Sequence, residues 1–339
     1  MVSIGVIGCG RIAQVRHLPE YACNSDAHIA AVCSLNKERA ASIGSQYGAR
    51  VYSSYEELLA DPDIDAVSVC TSNTSHCEIS VKALRSGKHV LCEKPMATTL
   101  DECELMISAA NETGKHLMIA HNQRFAQAHI EAKELIAQGA IGKILTFRTA
   151  FCHKGPESWT IDPDDNWFFD KSRAAFGVMA DLGVHKIDLL HFLTGRRITG
   201  IHAAIGTFDK SSSDGRRIDL DDNAVCICKM DDGAIGTLTV SWTCYGREEN
   251  STVLYGTNGV MRIYDDPVSP LIIEHKDGNR TVRQTEKIAT NETQTKSGVI
   301  DSWIRSLTTG NQPEIPAEES LYAMKVVFAS FASTEGLTY

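Results

Sequence analysis

Over the first 121 residues, short β-branched runs alternate with longer stretches whose apolar positions recur at helical spacing. The runs at 3–8, 28–34, 66–71, 89–92 and 116–121 predict strands, and the stretches at 11–21, 37–47, 55–60, 74–86 and 100–113 predict the helices between them. Several runs are apolar without alternation, as expected of strands covered on both faces. Strands separated by helices pair in parallel. This half of the chain is predicted to be an α/β unit with a doubly wound parallel sheet.

After His121 the pattern changes. A helix is predicted over 127–138 and a strand over 143–153, followed by a long loop, 153–176, rich in Trp, Phe, Asp and Pro. Loops beyond ~12–15 residues are uncommon unless they serve a function. A helix over 178–193 leads into strand-like runs at 198–208, 223–230, 234–243, 252–255, 260–264 and 271–275. The separators Asp231-Asp232-Gly233, Gly256-Thr257-Asn258-Gly259 and Asp277-Gly278-Asn279 are turn-forming. Strands joined by turns pair antiparallel, so the second half is predicted to be α+β with a large, mostly antiparallel open sheet. Helices over 298–308 and 317–332 close the chain.

The length, 339 residues, suits two domains. With 33 basic against 43 acidic residues and no Lys/Arg cluster, the charge disfavours nucleic acid and anionic membrane surfaces as partners. No apolar run approaches the ~20 residues of a membrane span and the N-terminus lacks the features of a secretory signal, which predicts a cytoplasmic protein. Seven of the 11 cysteines (Cys33, Cys70, Cys92, Cys152, Cys226, Cys228, Cys244) fall in apolar, strand-like runs, and no Cys-x-x-Cys pair occurs. They are read as small packing hydrophobes in a reducing compartment.

Candidate chemistry begins at Gly8-Cys9-Gly10-Arg11-Ile12-Ala13, directly after the first strand and opening the first helix. Gly8 permits the tight turn and Gly10 lets the backbone approach a pyrophosphate. Ala13 still allows close helix–strand packing, and the helix N-terminus presents N–H groups to the anion. The second strand ends Cys33-Ser34-Leu35-Asn36-Lys37, without the carboxylate that usually holds the adenosine ribose. Ser34, Lys37 and Arg39 offer hydroxyl and cationic partners for a 2'-phosphate, which favours NADP over NAD.

Two further clusters carry reactive groups. Cys92-Glu93-Lys94-Pro95 follows the fifth strand, at the rim of the crevice beyond the carboxyl ends of a parallel sheet. A surface lysine before a turn is the alternative. Asp181 and His185 are spaced i, i+4, with Asp188 three further on, so one helix face presents a proton-transfer group and a carboxylate. A packed interface pair is one alternative. A metal site is disfavoured, because a catalytic metal usually needs three protein ligands and this pair supplies two.

The glycine turn, Thr71-Ser72-Asn73 with His76, Glu93-Lys94-Pro95, Asn122-Gln123-Arg124-Phe125, and Asp181 with Gly183, His185 and Asp188 occur in this order along the chain. In this the sequence resembles the glucose-fructose oxidoreductase, inositol dehydrogenase and MocA (Gfo/Idh/MocA) family over roughly its whole length. The resemblance implies a Rossmann dinucleotide-binding domain over 1–122, then an α/β substrate-binding and oligomerisation domain over 123–339 that forms homodimers or homotetramers. It implies that Lys94 polarises the reacting oxygen, with a cis bond to Pro95. His185 would be the acid/base and Asp181 would position substrate and proton path. Arg11, Ile12, Thr71, Ser72, Asn73, His76, Glu93, Lys94 and Asn122 would line the cofactor. Some relatives that prefer NADP also pair a serine at the second strand end with an arginine five residues on, as Ser34 and Arg39 do.

Elementary chemistry agrees: oxidising a secondary alcohol needs a hydride acceptor, a base for the hydroxyl proton and a cation on the developing alkoxide. The loop's Trp159, Trp167, Phe168 and Phe169, with Asp162, Asp164 and Asp165, suit a ring with apolar C–H faces and many hydroxyls, although interface packing would use the same aromatics. His153 and Trp167 join Lys94, Asp181 and His185 as candidate substrate contacts. The expected function is NAD(P)-dependent interconversion of a secondary alcohol and ketone on a sugar, cyclitol or related polyol. The alternatives are a redox-neutral glycoside-processing enzyme with tightly bound cofactor and a non-catalytic nucleotide-binding regulator.

Overall fold

A computed structural model of the protein describes residues 1–162, 166–285 and 296–334. Asp164 and Asp165 lie outside them. The first half forms a sheet of β1 (Val2–Ile7), β2 (Ala27–Cys33), β3 (Arg50–Tyr52), β4 (Ala66–Val69), β5 (His89–Cys92) and β6 (Leu117–Ile119). All pairs are parallel, in the order β3-β2-β1-β4-β5-β6. The winding reverses between β1 and β4, so a crevice opens at their carboxyl ends. β3 was not predicted. It is a short edge strand, exposed at Arg50 and Val51, with no apolar run to announce it.

The predicted helix over 11–21 is helical throughout its length but opens as a wide π turn, Ala13–His17, before the α-helical Leu18–Ala22. Further along, Thr99 and Glu102 cap each other's backbone at the start of Leu100–Thr113, and Gly114 closes that helix in the left-handed conformation. The peptide between Lys94 and Pro95 is cis.

The second sheet comprises β7 (Ile144–Cys152), β8 (Ile198–Gly206), β9 (Asn223–Met230), β10 (Ile235–Ser241), β11 (Thr252–Gly256), β12 (Gly259–Ile263), β13 (Leu271–His275) and β14 (Arg280–Arg283). Its order is β14-β13-β12-β11-β7-β10-β9-β8. Every pair is antiparallel except β7 with β10, which are parallel. β9 alternates strictly: Ala224, Cys226, Cys228 and Met230 are buried, whereas Val225 and Ile227 point outward beside Ile235 of β10. Helix Ala317–Thr334 packs on β8 and reaches helix Leu100–Thr113 of the first half.

Helix Val299–Thr309 returns to the first half, where Trp303 and Ile304 are buried in one cluster with Ile4, Val6 and Tyr21. A second buried cluster runs without a break from Ile7 and Val69 to Leu238 and Leu254. Six of the seven strand-run cysteines are buried and Cys244 is partly so; burial raises the Cys33 thiol to about 11 and Cys152 to about 12. Among the described residues no helix is long and apolar enough to cross a membrane.

Candidate active site

A cleft of about 970 Å³ opens at the carboxyl ends of β1, β2, β4 and β5 and continues under the second sheet. At its centre the chain leaves β1 through Gly8, at φ 93°. A Cβ there would lie 2.5 Å from the Cys70 carbonyl oxygen beyond β4, so only glycine lets the two strand ends approach this closely. A Cβ at Gly10 would meet nothing within 4 Å. The backbone therefore borders open space where the helix begins and its first-turn N–H groups are without helical acceptors, which is a fit for a dinucleotide's pyrophosphate.

Arg11 and Ile12 line the same wall, and Ser34 and Arg39 line the end beyond β2. Asn36 caps helix Lys37–Tyr47 by accepting from the Arg39 N–H at 2.9 Å. Lys37 is exposed and is not part of the cleft wall. The Arg39 guanidinium does not stand open. Its Nη2 donates to both carboxylate oxygens of Asp162, each at 2.7 Å. Nearby, the Arg11 guanidinium lies 5.6 Å from the ring centre of Trp159. Two side chains of the 153–176 loop thus touch the nucleotide half of the cleft.

Thr71, Ser72 and Asn73 follow β4 and line the middle of the cleft, as does Asn122 after β6. The Asn73 amide donates to the Ala174 carbonyl at 2.9 Å, tying this turn to the loop. His76 is buried behind the wall rather than in it. Its ring nitrogens meet the carbonyls of Pro95 (2.8 Å) and Thr71 (3.2 Å), and burial lowers its pKa. It braces the two turns against each other. Glu93 is buried and accepts from His17 Nε2 at 2.9 Å. Burial alone would raise its pKa, but the His17 hydrogen bond and neighbouring cations hold it below the usual value. Ser68 then links the His17 ring to the Tyr21 hydroxyl.

Lys94 leaves the end of β5 and reaches the π turn Met179–Gly183, which precedes helix Val184–Thr194. Its ammonium donates to Asp181 Oδ1 at 2.7 Å and to the Asp181 carbonyl at 3.1 Å. The other carboxylate oxygen accepts from Trp242 Nε1 at 3.1 Å. Asp181 is therefore committed to Lys94 and Trp242 and makes no hydrogen bond with His185. The wide turn that carries Asp181 interrupts the α-helical spacing that would set residues i and i+4 on one face.

His185 borders the cleft, and no hydrogen-bond partner for its Nδ1 occurs among the described residues. Burial, reinforced by the charge of Lys94, holds its pKa well below the ordinary histidine value, so the imidazole is neutral. His153 Nδ1 accepts the Gly155 N–H at 3.0 Å, which leaves its Nε2 as the ring's donor, and burial lowers its pKa too. Trp167 lines the same end, stacked on Phe168 at 4.1 Å between ring centres. Asp188 turns out to be structural: buried, it accepts from Arg124 Nε (2.8 Å) and Nη2 (2.6 Å).

Sequence reasoning missed Trp242, His17 and Asp221, and it read Asp162 as a loop carboxylate for substrate rather than as the partner of Arg39. Asp221 accepts from the Gly177 and Met179 N–H groups at 2.8 and 2.7 Å and so anchors the start of the helical segment that carries Asp181 and His185. Each of the four acts on a partner at least 42 residues away, a pairing no local pattern encodes.

The chain's two halves match two family models: residues 2–121 that of the oxidoreductase family with NAD-binding Rossmann fold, and residues 129–262 the GFO/IDH/MocA C-terminal domain. Levoglucosan dehydrogenase of Pseudarthrobacter phenanthrenivorans is 30% identical over 249 residues, covering 67% of this chain and 63% of that enzyme. Myo-inositol 2-dehydrogenase of Thermotoga maritima is 26% identical over 98% of this chain and 96% of its own length. A solved structure of levoglucosan dehydrogenase in complex with NADH superimposes with a TM-score of 0.86 at 25% identity, covering 98% of this chain and 97% of that one. With both halves matched in order, the chain belongs to the Gfo/Idh/MocA family of NAD(P)-dependent oxidoreductases.

Proposed function

We propose that this enzyme interconverts a secondary alcohol and a ketone on a sugar, cyclitol or related polyol. The observation that carries the reading is one cleft wall holding the Lys94–Asp181 pair beside the neutral imidazole of His185, in the same cleft as the glycine turn. Relatives that are dehydrogenases of levoglucosan and myo-inositol support the substrate class.

In the oxidation direction the Lys94 ammonium holds the substrate oxygen and stabilises the charge that develops there, while neutral His185 takes the hydroxyl proton. In reduction the imidazolium returns that proton. Asp181, gripped by Trp242, keeps Lys94 aimed and limits its motion. His153 and Trp167 take further hydroxyls and an apolar ring face. A nicotinamide bound in this cleft would supply the hydride acceptor for oxidation and the hydride donor for reduction. Its dinucleotide would be held by the Gly8–Gly10–Arg11–Ile12 turn, by Thr71, Ser72, Asn73, Glu93 and Asn122, and at the adenosine end by Ser34 and Arg39. Arg39 would meet the 2'-phosphate of NADP by exchanging one anionic partner, Asp162, for another.

In this reading residues 1–122 bind the nucleotide and residues 123–339 bind substrate, the latter sending helix Val299–Thr309 back onto the former. The outward Val225, Ile227 and Ile235 form the contact of a homo-oligomer, and the free thiols suit the cytoplasm.

The test is reduced-nicotinamide formation across a panel of inositols, aldoses, sugar acids and glycosides, with product analysis. Substrate-dependent reduction that Lys94→Met lowers by about a hundredfold or more is the expected outcome. Conversion of a glycoside without net reduction would replace it with the redox-neutral reading.

A further inference from the structure

We infer that Asp162 sets this enzyme's choice between NAD and NADP by competing for Arg39. The inference rests on the proposed binding of a nicotinamide dinucleotide with its adenosine ribose at the end of β2.

That strand end lacks a carboxylate of its own, and the nearest cation lining it, Arg39, would by itself invite a 2'-phosphate. The fold supplies the missing acid from 123 residues away: both oxygens of Asp162 take the guanidinium's Nη2 at 2.7 Å. The Arg39 side chain is only 18% exposed, so its end of the pair is largely shielded from water. Trp159, held beside Arg11 three residues earlier in the same loop, delivers the carboxylate to this place.

Two consequences follow for a nucleotide. A free 2'-hydroxyl finds an acceptor in Asp162 and leaves the ion pair intact. A 2'-phosphate must displace Asp162, because the two anions claim one guanidinium, and a displaced carboxylate nearby still repels it. Asp162 is 49% exposed and can swing into water, so NADP is handicapped rather than excluded. A pair that merely latched the loop shut would act on both cofactors alike.

The experiment is calorimetric titration of NAD, NADP, 5'-ADP and 2',5'-ADP into the wild type, Asp162→Asn, Arg39→Met and the double variant, with thermal melting as a check on folding. Asp162→Asn should lower the ratio of NADP to NAD dissociation constants by about tenfold, the scale of one charge-assisted contact, and tighten 2',5'-ADP over 5'-ADP by a similar factor. The gain should vanish in the double variant. Binding of both dinucleotides with an unmoved ratio, or an equal change for both, would overturn the inference alone. Failure of both dinucleotides to bind the wild type would overturn the cofactor reading and the inference with it.

Discussion

Lys94 and His185 divide the work between a fixed charge and a movable proton, and each can be removed separately. Lys94→Met and His185→Asn should each lower kcat by about 10²–10⁴, the usual worth of an electrostatic or acid–base group, while the dissociation constant of the nicotinamide dinucleotide stays within a few-fold. Because burial lowers the His185 pKa, its base form persists into mild acid. The rate of alcohol oxidation should stay level as pH falls through 6.5 and decline only below it; a profile breaking at or above 6.5 would remove His185 from the role of base. Trp242 is the subtler case. Trp242→Phe keeps the ring but strips the N–H from Asp181 Oδ2, loosening the pair that aims Lys94. A kcat loss of about tenfold with little change in KM is expected, of the order of one buried hydrogen bond.

At the level of elements, the segment carrying Asp181 and His185 depends on a contact from outside itself. Gly177 lies so close to Asp221 that a Cβ would fall 1.8 Å from its carbonyl oxygen, while the Asp221 carboxylate caps the following turn. Gly177→Ala should cost more than about 3 kcal/mol, since backbone rather than a flexible side chain stands in the way, measured by denaturant unfolding. The same distinction explains what the sequence made legible. Gly8, Gly10, Lys94, Asp181 and His185 sit in local motifs whose strand-end or helix-start context is itself local, so their residence in one cleft could be anticipated. The apolar runs marked where the principal strands of both sheets lie along the chain, though not their order within each sheet. β3 and β14 escaped because edge strands exposed to water need no apolar alternation. The parallel β7–β10 pair, the Asp181–Trp242 bond and the Arg39–Asp162 pair escaped because the folded topology alone creates them.

Across the whole molecule one buried charge stands out. Lys186 is fully buried beside His185; its Nζ has no hydrogen-bond partner among the described residues and lies 6.0 Å from the centre of the Phe151 ring. Burial brings its pKa down from 10.5 to about 7. Between those values the unfolded chain holds a proton that the folded chain has released, so this group makes stability rise with pH, and its penalty is greatest at pH 7 and below. Lys186→Met should therefore stabilise the fold by on the order of a few kcal/mol at pH 7, with an advantage over the wild type that shrinks towards pH 10, as followed by thermal melting. On the outer sheet face, Ile227→Glu should lower the assembly state seen by light scattering if Val225, Ile227 and Ile235 form the subunit contact.

The return of helix Val299–Thr309 to the first sheet means that the polypeptide passes between the two halves repeatedly, and one apolar cluster spans them without a break. A core shared in this way opposes gaping of one half from the other. Release of the loop contacts at Arg39 and Arg11, an ion pair and a ring contact, is then the expected route for ligand entry and exit. The radius of gyration in solution should accordingly be the same with and without dinucleotide, and added salt, by screening the exposed pair, should quicken nucleotide release.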